Sequence, residues 1–411
     1  MTTKLTKLKL DNVGGFKDFE LNFHENLTIL IGKNGAGKTT ILRSIAFLLD
    51  MALDTLLELV KNPYFNKKNF VLQKLLKHEA RVLLPESSNY SISIESSIDG
   101  KTFSLTGDSS EGFDSFFEIL QDFYNNQQYL PLFIYYPSYN APIGNIQFSD
   151  LKLENHIYAA YIFACQEGVF DFNRFFIWFK WQENIQREVG RNKKYEMVRK
   201  VICKVISDEQ NIFDNLHVTW QQNPNGDLCI EKNGILLNIN QLSAGEKMLM
   251  ILVADLARRL IVANPKNDNP LRGEGVILID EIDLHLHPSW QRAVVLNLTK
   301  NFPNCQFIIT THSPVILAEV KPENIIILKD FKALQNTQHT FGRDTNSILL
   351  DIMDVLNRPK KVQEKLQECF AHIDNDKLQK AEQELEKLEA HLGPNDPDVV
   401  YIHSLLSFYQ E

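Results

Sequence analysis

Cysteine is scarce in this chain: five residues in 411, namely Cys165, Cys203, Cys229, Cys305 and Cys369. They lie far apart with no CxxC pair, so they read as reduced core thiols of a cytosolic protein. Long apolar runs are missing too. None approaches the ~18–20 residues that a membrane span needs. The opening MTTKLTKLKLDN lacks the apolar core of a signal peptide. Positive charge is in deficit, with 43 Lys and Arg against 52 Asp and Glu and a formal net charge of −9. That balance excludes a generally basic nucleic-acid binder and leaves only a local patch for such contact. No internal repeat, low-complexity tract or sustained heptad occurs in the middle of the chain, which excludes a long coiled coil there. What is present is a 44% hydrophobic fraction, enough to bury the core of one large domain or two. A soluble, cytoplasmic protein is expected.

Apolar periodicity orders the chain. Residues 4–23 alternate, with Leu8, Leu10, Phe16, Phe19, Leu21 and Phe23 around Gly14-Gly15, predicting two short strands and a turn. Leu27–Ile31 is a compact buried strand ending at a glycine, and Lys38–Met51 carries helical spacing. Phe65–Leu84 reads as helix, Tyr90–Leu105 as strand, and Leu130–Tyr136 as a buried strand stopped by Pro137. Leu151–Ser207 is aromatic-rich and helical. Leu216–Leu237 alternates around the turn signals Asn225-Gly226 and Asn233-Gly234. Helices are expected at Glu246–Val262 and Ser289–Leu298, and strands at Val276–Ile279, Gln306–Thr310 and Ile325–Leu328. Beyond Arg358-Pro359 two helical stripes follow. Val362, Leu366, Phe370 and Ile373 form one; Leu378, Ala381, Leu385, Leu388 and Leu392 form the other. Asp374-Asn375-Asp376 separates them, predicting a helical hairpin whose second stripe is covered only in part by the first. Gly393-Pro394 ends the hairpin, and a short apolar helix at Val399–Phe408 closes the chain.

Chemistry is concentrated in four motifs. Gly32-Lys33-Asn34-Gly35-Ala36-Gly37-Lys38-Thr39, followed by Thr40, fits G-x-x-x-x-G-K-[ST] between a strand and a helix. Its glycines let backbone N–H groups face phosphates at the helix's positive end. Lys38 would reach the β- and γ-phosphates of ATP, and the Thr39 hydroxyl would ligate Mg²⁺. Val276–Ile279 then delivers Asp280 to the metal and Glu281 to the water that attacks the γ-phosphate. Leu242-Ser243-Ala244-Gly245-Glu246 opens a helix. Ser243 and Glu246 can form a capping box, or Ser243 and Gly245 can bind the γ-phosphate held by another subunit, and the two uses are compatible. His312, in Thr310-Thr311-His312-Ser313-Pro314, ends another strand. It is either a satisfied polar residue or, given the other motifs, a sensor of the γ-phosphate.

In that order the four motifs resemble Walker A, signature, Walker B and switch histidine of the ABC-type ATPases. Their wording, LSAGEK, LIDEIDLHLHP and IITTHSP, is similar to the SMC-like and RecF-like branch. The likeness covers residues 1–50 and 240–330. It implies an α/β P-loop fold with a central mixed or parallel sheet, a helical insertion and a C-terminal helical segment. It also implies a head-to-tail nucleotide-sandwich dimer, with Leu284-His285-Leu286-His287 as the D-loop at its interface. A metal site at His285 and His287 would lack a third ligand. A Q-loop glutamine is not evident after Leu130–Tyr136; Pro137-Ser138-Tyr139-Asn140 and then Gln147 stand there.

The tail, Phe341-Gly342-Arg343-Asp344-Thr345-Asn346-Ser347-Ile348-Leu349 and then Asn357-Arg358-Pro359, is similar to the PtuA-type ATPases of Septu-type and retron-associated antiphage systems. That resemblance implies a separate HNH nuclease (PtuB-like) as partner, and a reverse transcriptase with its noncoding RNA where a retron is involved. Competing readings are a RecF-like DNA-repair ATPase and a fused TOPRIM nuclease. For the latter, Asp396-Pro397-Asp398 mimics a DxD, but no Glu-Gly turn between Lys329 and Asp396 completes a two-metal site, and a turn before the last helix fits better. The basic cluster Arg187, Arg191, Lys193, Lys194, Arg199 and Lys200 near Trp178 and Trp181 suits phosphate contact with stacking, or equally a solvated helix face. The expected layout is an N-terminal ATPase lobe at 1–50, the interrupted sheet at 51–240, a C-terminal ATPase lobe at 241–330, and a partner-binding or oligomerisation segment at 331–411.

Overall fold

The computed structural model describes residues 3–61, 91–98, 101–106, 131–138, 157–165, 172–221, 223–353, 355–356 and 358–410. They divide into two compact units, Met1–Gly342 and Arg343–Glu411.

The first unit opens with β1 (Lys4–Asp11), β2 (Phe19–Asn22) and β3 (Leu27–Gly32), then α1 (Lys38–Lys61). β1 alternates as its sequence does, burying Leu5, Leu8 and Leu10. α1 runs ten residues past the predicted end at Met51, because no glycine or proline interrupts the chain before Pro63. β4 (Ser91–Ile98) and β5 (Lys101–Thr106) join β1 and β2 in an antiparallel sheet of order β2-β1-β4-β5. β6 (Leu132–Tyr136) is buried at every residue. The predicted helix at Phe65–Leu84 and Gln147 lie outside the described residues.

Two helices follow, α2 (Phe172–Val189) and α3 (Lys193–Ile206). Phe172, Phe175, Phe176, Trp178 and Phe179 recur at helical spacing and are buried, with the Phe179 ring 4.8 Å from Tyr195. β7 (Phe213–Thr219), β8 (Asp227–Lys232) and β9 (Ile235–Asn238) form a second antiparallel sheet. Asn233 and Gly234 both take positive φ, 50° and 78°, as the two-residue hairpin turn between β8 and β9 requires.

α4 (Ala244–Ala263) is buried around its circumference. Its buried charges pair with one another: Asp255 receives Arg258 at 3.1 Å, Arg259 at 2.6 Å and the Tyr136 hydroxyl at 3.0 Å. Burial raises the Tyr136 pKa well above its ordinary value, which keeps that hydroxyl a donor. The unit ends with β10 (Gly275–Ile279), α5 (Pro288–Asn301), β11 (Cys305–Thr310), the single turn α6 (Pro314–Leu317), β12 (Ile325–Lys329) and β13 (Lys332–Gln335).

The central sheet has the order β13-β12-β3-β11-β10-β6. All neighbours are parallel except β12 and β13. β6, β10 and β11 are buried along their whole length, the unbroken apolar pattern of strands covered on both faces. The fully buried Gln306 of β11 exchanges hydrogen bonds with Leu5 of β1 at 2.7 and 2.9 Å and gives a third to the His24 carbonyl at 2.8 Å, tying the two sheets together. β13 was not expected. Its residues are largely exposed, so no period-2 apolar signal marks it. This is the P-loop α/β fold read from the motifs, with a mixed, mostly parallel central sheet and with α2 and α3 inserted between β6 and β7.

The second unit comprises α7 (Thr345–Asp351), α8 (Lys360–Asp374), α9 (Leu378–Leu392) and α10 (Pro397–Gln410). Leu366 and Ile373 of α8 pack with Ala381, Leu385 and Leu388 of α9, all from the two predicted stripes; Cys369, outside them, is buried with this core, while Val362, Phe370, Leu378 and Leu392 are partly buried against it. The third side of this core is α10, through Val399, Ile402 and Leu406. Asp396 receives both arms of the Arg358 guanidinium at 2.9 Å and the amide of Asp398 at 3.0 Å. It therefore starts α10 and fastens that start to the segment before α8. No described helix of the chain is long and apolar enough to cross a membrane.

Candidate nucleotide site

Parallel strands end on one edge, and the order β3-β11-β10 decides what meets there. Gly32 leaves β3, Thr310 to His312 leave β11, and Asp280 and Glu281 leave β10. Ligands of open α/β sheets bind at this edge.

Gly35 and Gly37 hold φ of 80° and 94°, a region that side chains disfavour. At Gly37 a Cβ would also lie 2.4 Å from the Phe16 ring. The loop passes straight into α1, so the first amides of that helix face its concavity. Lys33, Asn34 and Gly35 are exposed at the rim, while Ala36, Thr39 and Thr40 are half-buried. Lys38 is only 6% exposed, and its ammonium donates to the carbonyls of Gly32 at 2.8 Å and Lys33 at 3.3 Å. Burial lowers its pKa, opposed by the nearby charges of Glu281, Asp280 and Asp283.

Asp280 is 1% exposed and accepts from two hydroxyls, Thr39 at 3.0 Å and Thr310 at 2.6 Å. The Thr39 contact bridges the P-loop helix to the β10 strand end. Glu281 takes a φ of 51°, held by its amide donating to the Thr310 hydroxyl at 2.7 Å. Such a backbone costs about 1–3 kcal/mol and is concentrated at functional sites. Among the described residues nothing hydrogen-bonds the Glu281 carboxylate. His312 is half-buried, and its amide donates to Asp283 at 3.2 Å. Burial lowers the imidazole pKa and the Lys38 charge lowers it further, against the pull of Asp283, Glu281 and Asp280. Lys38, Thr39, Asp280, Glu281 and His312, from three of the four motifs, thus lie at one edge of the sheet.

Asp283 was missed. It accepts from the Thr311 hydroxyl at 2.5 Å as well as from the His312 amide, so it fixes the strand end that carries the histidine. Ser313 was missed too: it donates to Gln291 at 2.6 Å and caps α6. The run Asp-Glu-Ile-Asp was the available signal for Asp283, since a second acid three residues on can reach a neighbouring strand end.

Ser243 caps α4 through a full capping box with Glu246. Burial would neutralise Glu246, but Lys232 at 2.6 Å and the Ser243 amide hold its pKa below the ordinary carboxylate range. Ser243 and Ala244 stay exposed at the helix start. Gly245 is buried, and a Cβ there would lie 2.3 Å from the carbonyl oxygen of His285. The glycine thus has a use within its own chain, letting the 284–287 loop press onto the helix.

His287 caps α5 through Ser289, whose hydroxyl reaches Asp208 at 2.8 Å. That is a structural role for His287. In the basic cluster, Arg187 pairs with Glu183 at 2.9 Å and lies over Trp220, Arg199 binds the Leu216 carbonyl at 2.6 Å, and Lys194 donates to the Pro265 carbonyl. Arg191, Lys193 and Lys200 remain exposed.

Comparison with known proteins agrees with this geometry. The family model described as "AAA domain, putative AbiEii toxin, Type IV TA system" matches residues 27–318, from β3 past His312. The "Retron Vc95 probable ATPase" of Vibrio cholerae serotype O1 biovar El Tor is 30% identical over 86% of this chain and 80% of its own. The "Retron Ec83 probable ATPase" of Escherichia coli is 29% identical over 97% of this chain and 85% of its own. The "Septu protein PtuA" of Bacillus thuringiensis is 26% identical over 96% and 95%. With a glycine-rich loop, a buried acid strand and a strand-end histidine on one sheet edge, this chain belongs to the AAA-domain ATPase family of that model, in the group that includes the retron probable ATPases and Septu PtuA.

Proposed function

We propose that this chain is the ATP-binding and ATP-hydrolysing subunit of a cytoplasmic bacterial antiviral system, and that it controls a separate HNH nuclease rather than cutting nucleic acid itself. The observation that carries the reading is the convergence of Lys38, Thr39 and Asp280: one cation for phosphate, and two oxygen donors already 3.0 Å apart. A hydroxyl and a carboxylate suit Mg²⁺, which takes few protein oxygens and keeps water and phosphate as its other ligands. Mg²⁺ held there would neutralise charge on the β- and γ-phosphates. Lys38 would exchange its carbonyl partners for phosphate oxygens, with amides of residues 33–40 around them. Glu281 has the untied carboxylate needed to orient a water and take its proton. His312, neutral near pH 7, can donate one N–H to the γ-phosphate.

The exposed Ser243 at the start of α4 is the group we assign to the γ-phosphate of a second copy, within a nucleotide-sandwich dimer or a higher oligomer. Gly245 supports that helix start from its buried position. Residues 1–330 supply the ATPase lobes, and the helices within 331–411 bind the nuclease. A reverse transcriptase with its noncoding RNA is the further partner in a retron setting. Nucleic acid, if bound, meets Arg191, Lys193 and Lys200. Likeness to retron and Septu ATPases over most of the chain supports this reading above a repair ATPase.

Co-expression with the neighbouring open reading frame tests it. Glu281→Gln should retain ATP, accumulate a closed dimer by mass photometry, and co-purify an HNH protein. Loss of that protein on deleting residues 361–411, with ATP binding kept, is the expected control. Nucleic-acid cleavage by the purified chain alone overturns the reading.

A further inference from the structure

The triphosphate direction is fixed by the sheet. Glu281 and His312 stand at the ends of β10 and β11, so the γ-phosphate end lies on that side of β3. The nucleoside end then leaves the P-loop toward the other neighbours of β3, namely β12 and β13. β12 runs parallel to β3 with Leu328 opposite Gly32, so the turn that follows it emerges on the same edge as the P-loop.

That turn is Asp330-Phe331, with φ of 51° and 55°. Two-residue turns of this kind ordinarily take Asn-Gly or Asp-Gly, and a phenylalanine at positive φ is uncommon. Phe331 is also 39% exposed. It is nonetheless firmly seated. Its ring meets Phe16 edge-on, with centroids 5.3 Å apart and an 87° interplanar angle. A Cβ on Gly15 would lie 2.2 Å from it, so only glycine lets the chain pass beneath. Phe16, fully buried, in turn fills the space over Gly37. Gly14 touches the other side of the loop, where its Cβ would lie 3.2 Å from the Thr40 methyl. An exposed aromatic therefore stands one buried ring away from the phosphate cradle, on the side where the base must leave.

We infer that Phe331 is the platform on which the nucleotide base stacks, seated on the Gly14-Gly15 turn beside the P-loop. The inference rests on the proposed ATP site and adds the residue that recognises the base. Stacking accepts any purine, since every base offers a π face. Phe331 is therefore an affinity determinant for ATP and GTP alike, and it contributes nothing to a ligand without a base.

Calorimetry on the full chain with ATP, GTP and inorganic triphosphate tests this. Phe331→Asn is the main variant, because asparagine suits the positive φ of the turn and keeps the hairpin. It should weaken ATP and GTP by about 10-fold and leave inorganic triphosphate unchanged. Phe331→Trp should hold or improve both nucleotides. Unchanged ATP affinity in Phe331→Asn overturns the inference. Equal weakening of ATP and triphosphate also overturns it, since the residue would then act only by propping Phe16 under the P-loop. A wild-type chain that binds neither ATP nor triphosphate removes the nucleotide site itself, and this inference with it.

Discussion

Asp280 and Glu281 close a buried strand, whereas Asp396 and Asp398 open a helix, and in the sequence both look like an acid pair beside an apolar run. Asp280 is bonded by two neutral hydroxyls, and no cation forms an ion pair with it among the described residues. Asp396 is bonded by a guanidinium, which Asp398 also meets at 2.6 Å. The Arg358 contact, with two amides behind it, holds the Asp396 pKa below the ordinary carboxylate range. A buried carboxylate that no cation bonds directly keeps a charge that a bound cation would offset. A carboxylate already neutralised by arginine does not. Acid pairs become sites through what their neighbours leave unpaired, not through their spacing.

The largest effect expected from this contrast is on turnover. Asp280→Asn keeps the shape and both hydroxyl partners but removes the charge, so Mg²⁺-dependent ATP hydrolysis should fall on the order of 100-fold. Asp396→Asn should leave it unchanged. Steady-state phosphate release on both variants checks the pair, and equal losses would erase the distinction.

A smaller effect belongs to stability. Asp396→Ala removes the cap of α10 and two of the Arg358 hydrogen bonds, leaving Arg358 to Asp398 alone, and should destabilise the Arg343–Glu411 unit by about 1–2 kcal/mol. Urea unfolding followed by hydrogen exchange within α8 to α10 measures it. ATP affinity should not move.

The smallest effect is a pH slope. The pKa of His312 is lowered in the folded, nucleotide-free protein. Just below the ordinary value of 6.5 the unfolded chain therefore binds more protons than the folded one, and stability rises with pH across that window. His312→Gln should flatten the slope between pH 5.5 and 7, as read by urea midpoints. An unchanged slope would mean that the histidine does not feel its burial and Lys38.

Much of this was legible before any coordinates. Glycines at fixed offsets, a lysine and a threonine can be read as a phosphate loop because backbone conformation and charge are local properties. Val276–Ile279 reads as buried because a covered parallel strand needs no polar alternate. The two C-terminal stripes read as a hairpin for the same kind of reason, since helical spacing lies within one short window.

Other features depended on residues far apart in the chain. The sequence by itself marked Lys38, Thr39, Asp280, Glu281 and His312 as the candidate groups, through motifs each contained in fewer than ten residues. Tertiary structure decided that β11 lies between β3 and β10, which brings Thr310 and Asp283 to the site. It decided that Gly245 is pressed by the His285 backbone. It decided that α10 completes the core of the helical unit, where the two-stripe pattern had left the cover of α9 unassigned. It also placed Phe331 on Phe16, more than 300 residues away in sequence. Strand order, close backbone approach and ring contact are long-range facts, and no local pattern encodes which distant partner a buried surface will meet.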